Sequence, residues 1–213
     1  MVYCISDIHG ELDKFCSMLD LIKFSDADTL YIIGDAIDRH PQGVDVLKRI
    51  MAAPNMVMVM GNHELMCLDA LVSVKDRVSL DRWYHNGGLL THHDLADCST
   101  ADRRAILRYL GSLPDHLDIE VDKRQFHLVH GFPSDNTLDR VWGRPQYNPH
   151  PQLPNGTVII GHTPTCLMTE QYQEPYTIYH GKGYIDIDCG CAGQDDFRRL
   201  GCLRLDDMQE FYI

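Results

Sequence analysis

The stretch Leu30-Tyr31-Ile32-Ile33-Gly34-Asp35-Ala36-Ile37-Asp38-Arg39 places a short apolar run directly before a polar cluster. The run is partly β-branched and of strand length, which is typical of a buried strand. Four further polar clusters follow short apolar runs in the same way: Asp7-Ile8-His9-Gly10, Gly61-Asn62-His63-Glu64, His130-Gly131 and Gly161-His162-Thr163. Side chains at the carboxyl ends of neighbouring strands meet in one crevice of an open α/β sheet. We therefore expect the five clusters to form one site.

The donor atoms of these clusters suit divalent cations. Carboxylates, an amide oxygen and imidazoles, without thiolates, favour borderline or hard ions such as manganese, iron, zinc or magnesium. Two cations about 3.5–4 Å apart, joined by a bridging carboxylate, can clamp the oxygens of a phosphoryl group during in-line displacement. Such a site also needs a phosphate-binding cation and a proton donor, and Arg39 and His63 lie within the clusters. The pattern indicates a two-metal phosphoesterase site.

Together the clusters resemble the signature of the phosphoprotein phosphatase family of the calcineurin-like metallophosphoesterases. The resemblance spans residue 4 to about residue 193. The length of 213 residues, Trp83 and Asn86-Gly87-Gly88 are most similar to the compact bacterial and phage-lambda-type Ser/Thr protein phosphatases. The resemblance implies an α/β fold, namely an αββα sandwich of two mixed β-sheets with a helical insert.

The resemblance also implies the ligands of two divalent metal ions. One ion would be held by Asp7, His9 and Asp35. The second would share Asp35 as a bridge and would also bind Asn62, His130 and His162. Manganese is the favoured cofactor, and the same ligands suit iron, zinc or magnesium.

Four more residues receive catalytic roles from the resemblance. His63 would be the general acid, and Asp38 would orient it through a hydrogen bond. The phosphate oxygens would be bound by Arg39 and Arg144. Arg144 is placed by the local pattern Val141-Trp142-Gly143-Arg144, which resembles the Trp-x-Arg of the phage-type enzymes.

The function implied is that of a Ser/Thr protein phosphatase, a metal-dependent phosphomonoester hydrolase in which a metal-bridging hydroxide attacks phosphorus directly. Its substrate would be a phosphorylated protein or peptide, with small phosphoesters or dinucleoside polyphosphates as alternatives. A symmetrical bis(5'-nucleosyl)-tetraphosphatase would share the metal ligands but tends to lack a counterpart of Asp38. A noncatalytic phospho-ligand-binding protein on the same fold would lack a ligand or the acid, and neither is missing here.

Three positions depart from the family pattern. His40 stands where glycine usually follows the Asp-Arg pair, so the turn is expected to be rerouted and His40 to approach the substrate. Phe132 and Cys189 replace a glycine and a threonine, and are expected to reshape the rim of the pocket. Trp83 and the glycine pair beside it form either a substrate-facing segment or a simple helix stop.

Length and composition limit the class of protein to which this chain can belong. With 213 residues and 44% hydrophobic content, we expect one domain over residues 1–213, with a helical insert at about residues 64–114. A formal charge of −12 argues against nonspecific nucleic-acid binding, which needs lysine and arginine to neutralise phosphates. The apolar runs are shorter than the roughly 18–20 residues of a membrane span. Irregular spacing of the eight cysteines, without a leader-type segment, predicts a reducing cytoplasm.

The remaining chain predicts helices over residues 11–22, 43–51 and from Ser99 towards Pro114, and a hairpin around Asp122-Lys123-Arg124. A proline-containing loop is expected over residues 145–154. Seven histidines without a surrounding motif are expected to be ordinary surface or packed residues: His85, His92, His93, His116, His127, His150 and His180.

Overall fold

A computed structural model describes residues 1–147 and 156–213. Its strands are β1 Val2–Ile5, β2 Thr29–Ile33, β3 Met56–Val59, β4 His116–Val121, β5 Arg124–Val129, β6 Gly156–Ile160, β7 Tyr179–His180, β8 Tyr184–Asp186, β9 Gly201–Arg204 and β10 Gln209–Tyr212. Its α-helices are α1 Leu12–Leu21, α2 Gly43–Ala52, α3 Asn62–Leu68, α4 Arg77–His85, α5 Leu89–Asp97, α6 Thr100–Leu110, α7 Thr137–Trp142 and α8 Cys166–Thr169.

The strands form two mixed sheets of five strands each. The first sheet has the order β10-β9-β1-β2-β3, and the second has the order β4-β5-β6-β8-β7. The strands β1, β2 and β3 run parallel, as do β5, β6 and β8, whereas β4, β7, β9 and β10 pair antiparallel with their neighbours. The prediction of an α/β fold with two mixed sheets is confirmed. The carboxyl ends of the parallel strands carry the five polar clusters.

Buried side chains cover both faces of the first sheet. Successive residues of a strand point to opposite faces. On β1, Cys4 belongs to the cluster between the sheets, together with Ile159 of β6. Its neighbour Ile5 packs in the cluster that includes Phe15 of α1 and Leu47 of α2. The strand is therefore apolar on both sides, which explains why its sequence is a continuous apolar run rather than an alternating one.

The predicted insert is helical and contains α3, α4, α5 and α6. A π-helix, Asp69–Ser73, continues α3, and Asn86-Gly87-Gly88 forms the turn between α4 and α5. The structure places the start of α3 at Asn62, two residues before the predicted start of the insert. Gly61 and Glu64 form the capping arrangement that starts this helix. Two predicted site residues, Asn62 and His63, consequently lie in the first helical turn.

Other local predictions match the structure closely. The helices α1 and α2 lie where apolar spacing predicted them. The β4–β5 hairpin pairs Val121 with Arg124, so Asp122 and Lys123 form its two-residue turn, with φ of 49° and 66°. Most of the predicted proline loop, including His150, lies outside the described residues. Among residues 1–147 and 156–213, no helix is long and apolar enough to cross a membrane.

Candidate metal and phosphate site

The predicted site residues come together at the carboxyl ends of the parallel strands. Asp35 follows β2 and lies at the centre, almost fully buried. Its Oδ2 lies 3.5 Å from Nε2 of His9, 3.2 Å from Nε2 of His130 and 3.8 Å from Nε2 of His63. Its Oδ1 accepts a hydrogen bond from the backbone N–H of His63 (3.0 Å). One carboxylate therefore faces imidazoles from three separate segments.

Two groups of donor atoms share Asp35. One group joins Asp35 to His9 and His63, and the other joins it to His130 and His162, with the ligand atoms of each group within 4.8 Å of one another. A carboxylate between two such groups can bridge two cations. The geometry thus provides two adjacent pockets of ligand atoms that meet at Asp35.

The imidazoles are oriented for coordination. Nδ1 of His9 donates to the carbonyl of Ile37 (2.9 Å), and Nδ1 of His130 donates to the carbonyl of Ile33 (2.7 Å). Such hydrogen bonds turn Nε2 towards a metal. Nε2 of His9 and of His162 is buried without a hydrogen-bond partner among the described residues. Buried polar atoms are rarely left unpaired, so these two nitrogen atoms are suited to binding a cation.

The other two predicted ligands, Asn62 and Asp7, lie beside these groups. Oδ1 of Asn62 lies 2.9 Å from Nε2 of His130. Oδ1 of Asp7 lies 3.8 Å from Nε2 of His9, and Oδ2 of Asp7 accepts from the backbone N–H of His162 (3.0 Å). The donor set of carboxylate, amide and imidazole groups is suited to manganese, iron or zinc. The six residues together fit a pair of divalent cations.

The charge states of His9, His162 and Asp35 agree with that fit, whereas Asp35 and Asp7, against the effect of burial, raise the pKa of His130 to about 10, so this ring must lose its proton to bind a cation. Burial and the neighbouring His63 hold the pKa of His9 well below its usual range, and burial and His130 lower the pKa of His162 to about 3. Both imidazoles are therefore neutral, the form that binds metals. Burial opposes ionisation of Asp35, but His130 and His63 hold its pKa well below the ordinary value. Asp35 is consequently a carboxylate anion.

His63, Asp38 and Arg39 form a hydrogen-bonded chain beside this centre. Nδ1 of His63 donates to Oδ2 of Asp38 (2.7 Å), and both side chains are fully buried. Nε2 of His63 lies 3.2 Å from Nη2 of Arg39, whose side chain is exposed. The imidazole thus has one nitrogen anchored on a carboxylate and the other turned towards the guanidinium and the cation site.

Arg144 lies in the segment that follows α7. Its Nη1 donates to Oγ1 of Thr163 (3.3 Å), next to His162. The ring of Trp142 meets the ring of His162 edge-on, with centroids 5.8 Å apart. The segment after α7 is therefore docked against the cluster that follows β6, which places a second guanidinium near the candidate cations.

The family model for calcineurin-like phosphoesterases matches residues 1–181. The chain belongs to the calcineurin-like phosphoesterase family. The family assignment and the donor groups around Asp35 support divalent-metal chemistry in a hydrolase.

This phosphoesterase has curated relatives of two kinds. It is 27% identical over 215 aligned positions to Serine/threonine-protein phosphatase 2 of Salmonella typhimurium, which covers 93% of this chain and 92% of the relative. It is 33% identical over 137 positions to a symmetrical bis(5'-nucleosyl)-tetraphosphatase of Delftia acidovorans, covering 56% of this chain and 47% of the relative. The solved structure of a metallophosphoesterase from Sphaerobacter thermophilus shares the fold, with a TM-score of 0.61 at 19% identity, covering 99% of this chain and 86% of that one.

Left-handed backbone is concentrated at the site of the phosphoesterase. Six of the ten predicted site residues have φ between 49° and 72°: Asp7, His9, Asp35, Asp38, Arg39 and His162. Such φ values are uncommon outside glycine and persist where the surrounding structure holds them. Gly61 allows part of this approach, because a Cβ there would clash with the carboxylate of Asp35. The loops are therefore held around the ligand atoms by contacts within the protein.

Glu64 is a functional residue whose role the sequence reasoning missed. It is fully buried. Its carboxylate accepts hydrogen bonds from the backbone N–H groups of Asp35 (2.9 Å), Ala36 (2.9 Å) and Gly61 (3.0 Å). A glutamate three residues after a helix N-cap is a recognisable capping signal, and it was available in Gly61-Asn62-His63-Glu64. Glu64 thereby fixes the loop that carries the central carboxylate.

Replacing Glu64 by alanine is expected to lower the free energy of unfolding by about 3 kcal/mol or more, because three buried N–H donors lose their acceptor. Urea denaturation of the metal-free protein measures this change. The exposed Glu174 is the matched control, and Glu174→Ala should change stability by less than about 0.5 kcal/mol. Equal stability of the two variants would show that Glu64 does not hold the loop.

Two further buried acids lie behind Asp7. Burial, with Asp188 beside it, raises the pKa of Asp186, and burial, with Asp7 beside it, raises the pKa of Asp188. Oδ1 of Asp188 accepts from the N–H of Gly190 (2.9 Å). These acids shape the segment after β8, and the sequence reasoning assigned them no role.

The structure shows the surroundings of the three residues that depart from the family pattern. Left-handed φ falls on Asp38 and Arg39 rather than on His40, so histidine at position 40 needs no glycine-like conformation. The ring of His40 lies 3.6 Å from the carboxylate of Glu11 and 3.4 Å from the carbonyl of Ala192. Phe132 and Cys189 are 5% and 2% exposed. Both side chains therefore lie beneath the surface, and their effect on the shape of the rim stays a prediction.

Proposed function

We propose that this phosphoesterase is a metal-dependent phosphomonoester hydrolase of the Ser/Thr protein phosphatase type. The observation that carries the proposal is the buried pair of Asp38 and His63, 2.7 Å apart, with the exposed guanidinium of Arg39 against the other imidazole nitrogen. A proton donor and a phosphate-binding cation thus stand side by side at the edge of the donor groups. Hydrolysis of an alkyl phosphate needs both.

The proposed cofactor is a pair of divalent cations, with manganese favoured. Asp7, His9 and Asp35 would hold one cation, and Asp35, Asn62, His130 and His162 would hold the other. When bound, the cations supply activation of water and neutralisation of phosphoryl charge. The orientation of the imidazoles and the unpaired Nε2 atoms of His9 and His162 support this assignment.

The protein's own side chains perform the remaining steps. Arg39 and Arg144 bind phosphate oxygens and orient the phosphoryl group. Once Arg39 has turned from Nε2 of His63 to the phosphate, that nitrogen can carry a proton, which it gives to the seryl or threonyl oxygen as the phosphorus–oxygen bond breaks, because an alkoxide is a poor leaving group without a proton. Asp38 keeps Nδ1 protonated and stabilises the positive charge on the ring. Burial of both side chains strengthens this interaction.

A symmetrical bis(5'-nucleosyl)-tetraphosphatase is the second candidate. It is favoured by the similarity to the Delftia acidovorans protein of that name. The presence of Asp38, paired with His63, argues for the protein-phosphatase type, since the tetraphosphatase branch tends to lack that aspartate. The more extensive match, over 93% of the chain, is to the Salmonella protein phosphatase.

The test compares two substrates on metal-stripped protein reconstituted with Mn²⁺. We expect faster release of phosphate from a phosphoserine peptide than cleavage of diadenosine tetraphosphate to ADP. Faster formation of ADP would assign the protein to the nucleotide branch. Turnover of neither substrate with both metals bound would instead support a noncatalytic phospho-ligand-binding protein.

We also propose a reducing cytoplasm as the location. All eight cysteines are free thiols, and six of them are buried: Cys4, Cys67, Cys166, Cys189, Cys191 and Cys202. Unpaired cysteines in this number are usual where thiols are kept reduced.

A further inference from the structure

Trp83 reaches the proton-donor pair from the helical insert. It lies on α4 and is fully buried, so the indole itself does not face solvent. Its indole Nε1 donates a hydrogen bond to Oδ2 of Asp38 (2.8 Å). The same oxygen accepts the hydrogen bond from Nδ1 of His63 (2.7 Å). A residue 45 positions later in the chain therefore shares the acceptor that orients the proposed acid.

The indole contact limits the rotation of the carboxylate. Oδ1 of Asp38 is buried without a partner among the described residues, so only Oδ2 is anchored. The terminal torsion of an aspartate is broad unless its oxygens are held. Two donors on Oδ2 fix the direction of its lone pairs, and loss of the indole N–H would leave His63 as the single anchor.

The insert holds the same turn through the backbone. The N–H of Asp38 donates to Oγ1 of the buried Thr91 (3.0 Å), and the N–H of Arg39 donates to the carbonyl of Gly87 (3.1 Å). Asp38 and Arg39 both have left-handed φ, 72° and 68°, which a residue with a side chain adopts only when held. Trp83 is the only one of these insert contacts that acts on a side chain.

We propose that Trp83 is a positioning residue for proton transfer, fixing the Asp38 carboxylate so that Nε2 of His63 faces the leaving oxygen. This inference rests on the proposed function. As the phosphorus–oxygen bond breaks, the proton on Nε2 passes to the departing alkoxide, while the proton on Nδ1 stays between His63 and Asp38. Water supplies the oxygen that remains on the phosphate. A nitrophenolate leaves without protonation, so a misdirected imidazole affects it little.

The test is the kinetics of Trp83→Phe, which keeps an aromatic ring and removes the N–H. We expect kcat on a phosphoserine peptide to fall about 10–100-fold, the range found for residues that orient a functional group, with KM unchanged. On 4-nitrophenyl phosphate, kcat should fall less than about threefold. Tyr84→Phe is the matched control: it also removes a polar group from α4, but this group is a hydroxyl that contacts His92 rather than Asp38. It should leave both rates unchanged.

A spectroscopic measurement tests the contact without turnover. In metal-free protein, the Nδ1 proton of His63 should give a downfield proton resonance, identified by its absence in His63→Asn. This resonance should shift in Trp83→Phe and stay in place in Tyr84→Phe. If Trp83→Phe fails to fold, 3-benzothienylalanine at position 83 alone replaces the indole N–H by sulfur at nearly constant volume.

The outcomes separate the two proposals. Selective loss on the peptide in both His63→Asn and Trp83→Phe supports the role of Trp83. The role of Trp83 is overturned if His63→Asn loses activity selectively on the peptide while the Trp83 variant keeps full activity. It is also overturned if the Trp83 variant loses activity equally on both substrates. Equal losses on both substrates in His63→Asn itself would overturn the assignment of the acid on which the inference rests.

Discussion

His63→Asn is expected to lower kcat on a phosphoserine peptide by about 10²–10⁴, and to lower kcat on 4-nitrophenyl phosphate much less. Asparagine has no proton to donate at the position of Nε2, so the alkoxide of serine would have to leave unprotonated. The nitrophenolate is stable as an anion and does not need the acid. Steady-state rates on the two substrates, measured with saturating Mn²⁺, give the comparison.

The same variant distinguishes an acid from a metal ligand. His63 lies in the donor group with His9 and Asp35, so the distances alone also allow it to bind a cation. Its Nδ1 is committed to Asp38, and its Nε2 is shared with Arg39. We therefore expect His63→Asn to retain two equivalents of metal, as should the exposed control His180→Asn. Loss of one equivalent in His63→Asn alone would make His63 a ligand.

Asp35→Asn is expected to weaken the binding of both cations by about 10²-fold or more, since even residues that only support metal ligands contribute 10–100-fold. Oδ2 of Asp35 faces His9 on one side and His130 on the other, so the loss of its charge affects both donor groups. Metal analysis after dialysis against limiting Mn²⁺ measures occupancy, and hydrolysis of 4-nitrophenyl phosphate should fall in parallel.

Asp20→Asn is the matched control for this change. Asp20 is exposed on α1, away from the donor groups, and its variant should keep two equivalents of metal. Two full equivalents in Asp35→Asn would show that this carboxylate does not bridge. Loss of a single equivalent would limit Asp35 to one of the two cations.

Much of the fold was predictable because a local sequence pattern marks its strands. Each short apolar run before a polar cluster forms a parallel strand. Pairing with a neighbouring strand makes some of these strands longer than the apolar run. For example, pairing with β4 starts β5 at Arg124, directly after the hairpin turn, because the turn determines where the ladder begins. The helix α3 starts earlier than predicted because Gly61 and Glu64 form its cap.

Contacts between distant segments were less predictable. The motifs indicated that His63 and Asp38 belong together, but no local pattern indicates that Trp83 donates to Asp38 from 45 residues away. Nor did the substitution of Phe132 or Cys189 reveal its burial, because burial depends on which elements pack over a position. Left-handed backbone at Asp7 and His162 is likewise supported by tertiary packing, since residues other than glycine keep this conformation where the surrounding structure holds it.

The π-helix after α3 makes the length of the insert a determinant of the site. The N–H of Val74 donates to the carbonyl of Asp69 (3.0 Å), five residues earlier, so this turn holds one residue more than an α-helical turn. The π-helix ends at Ser73, and a short non-helical connection over residues 74–76 leads into α4, which begins at Arg77 and carries Trp83. Deleting one residue from the π-helix would move the point at which this connection starts, and with it the place from which Trp83 reaches Asp38. The position of Trp83 therefore depends on the number of residues before α4 as well as on side-chain identity.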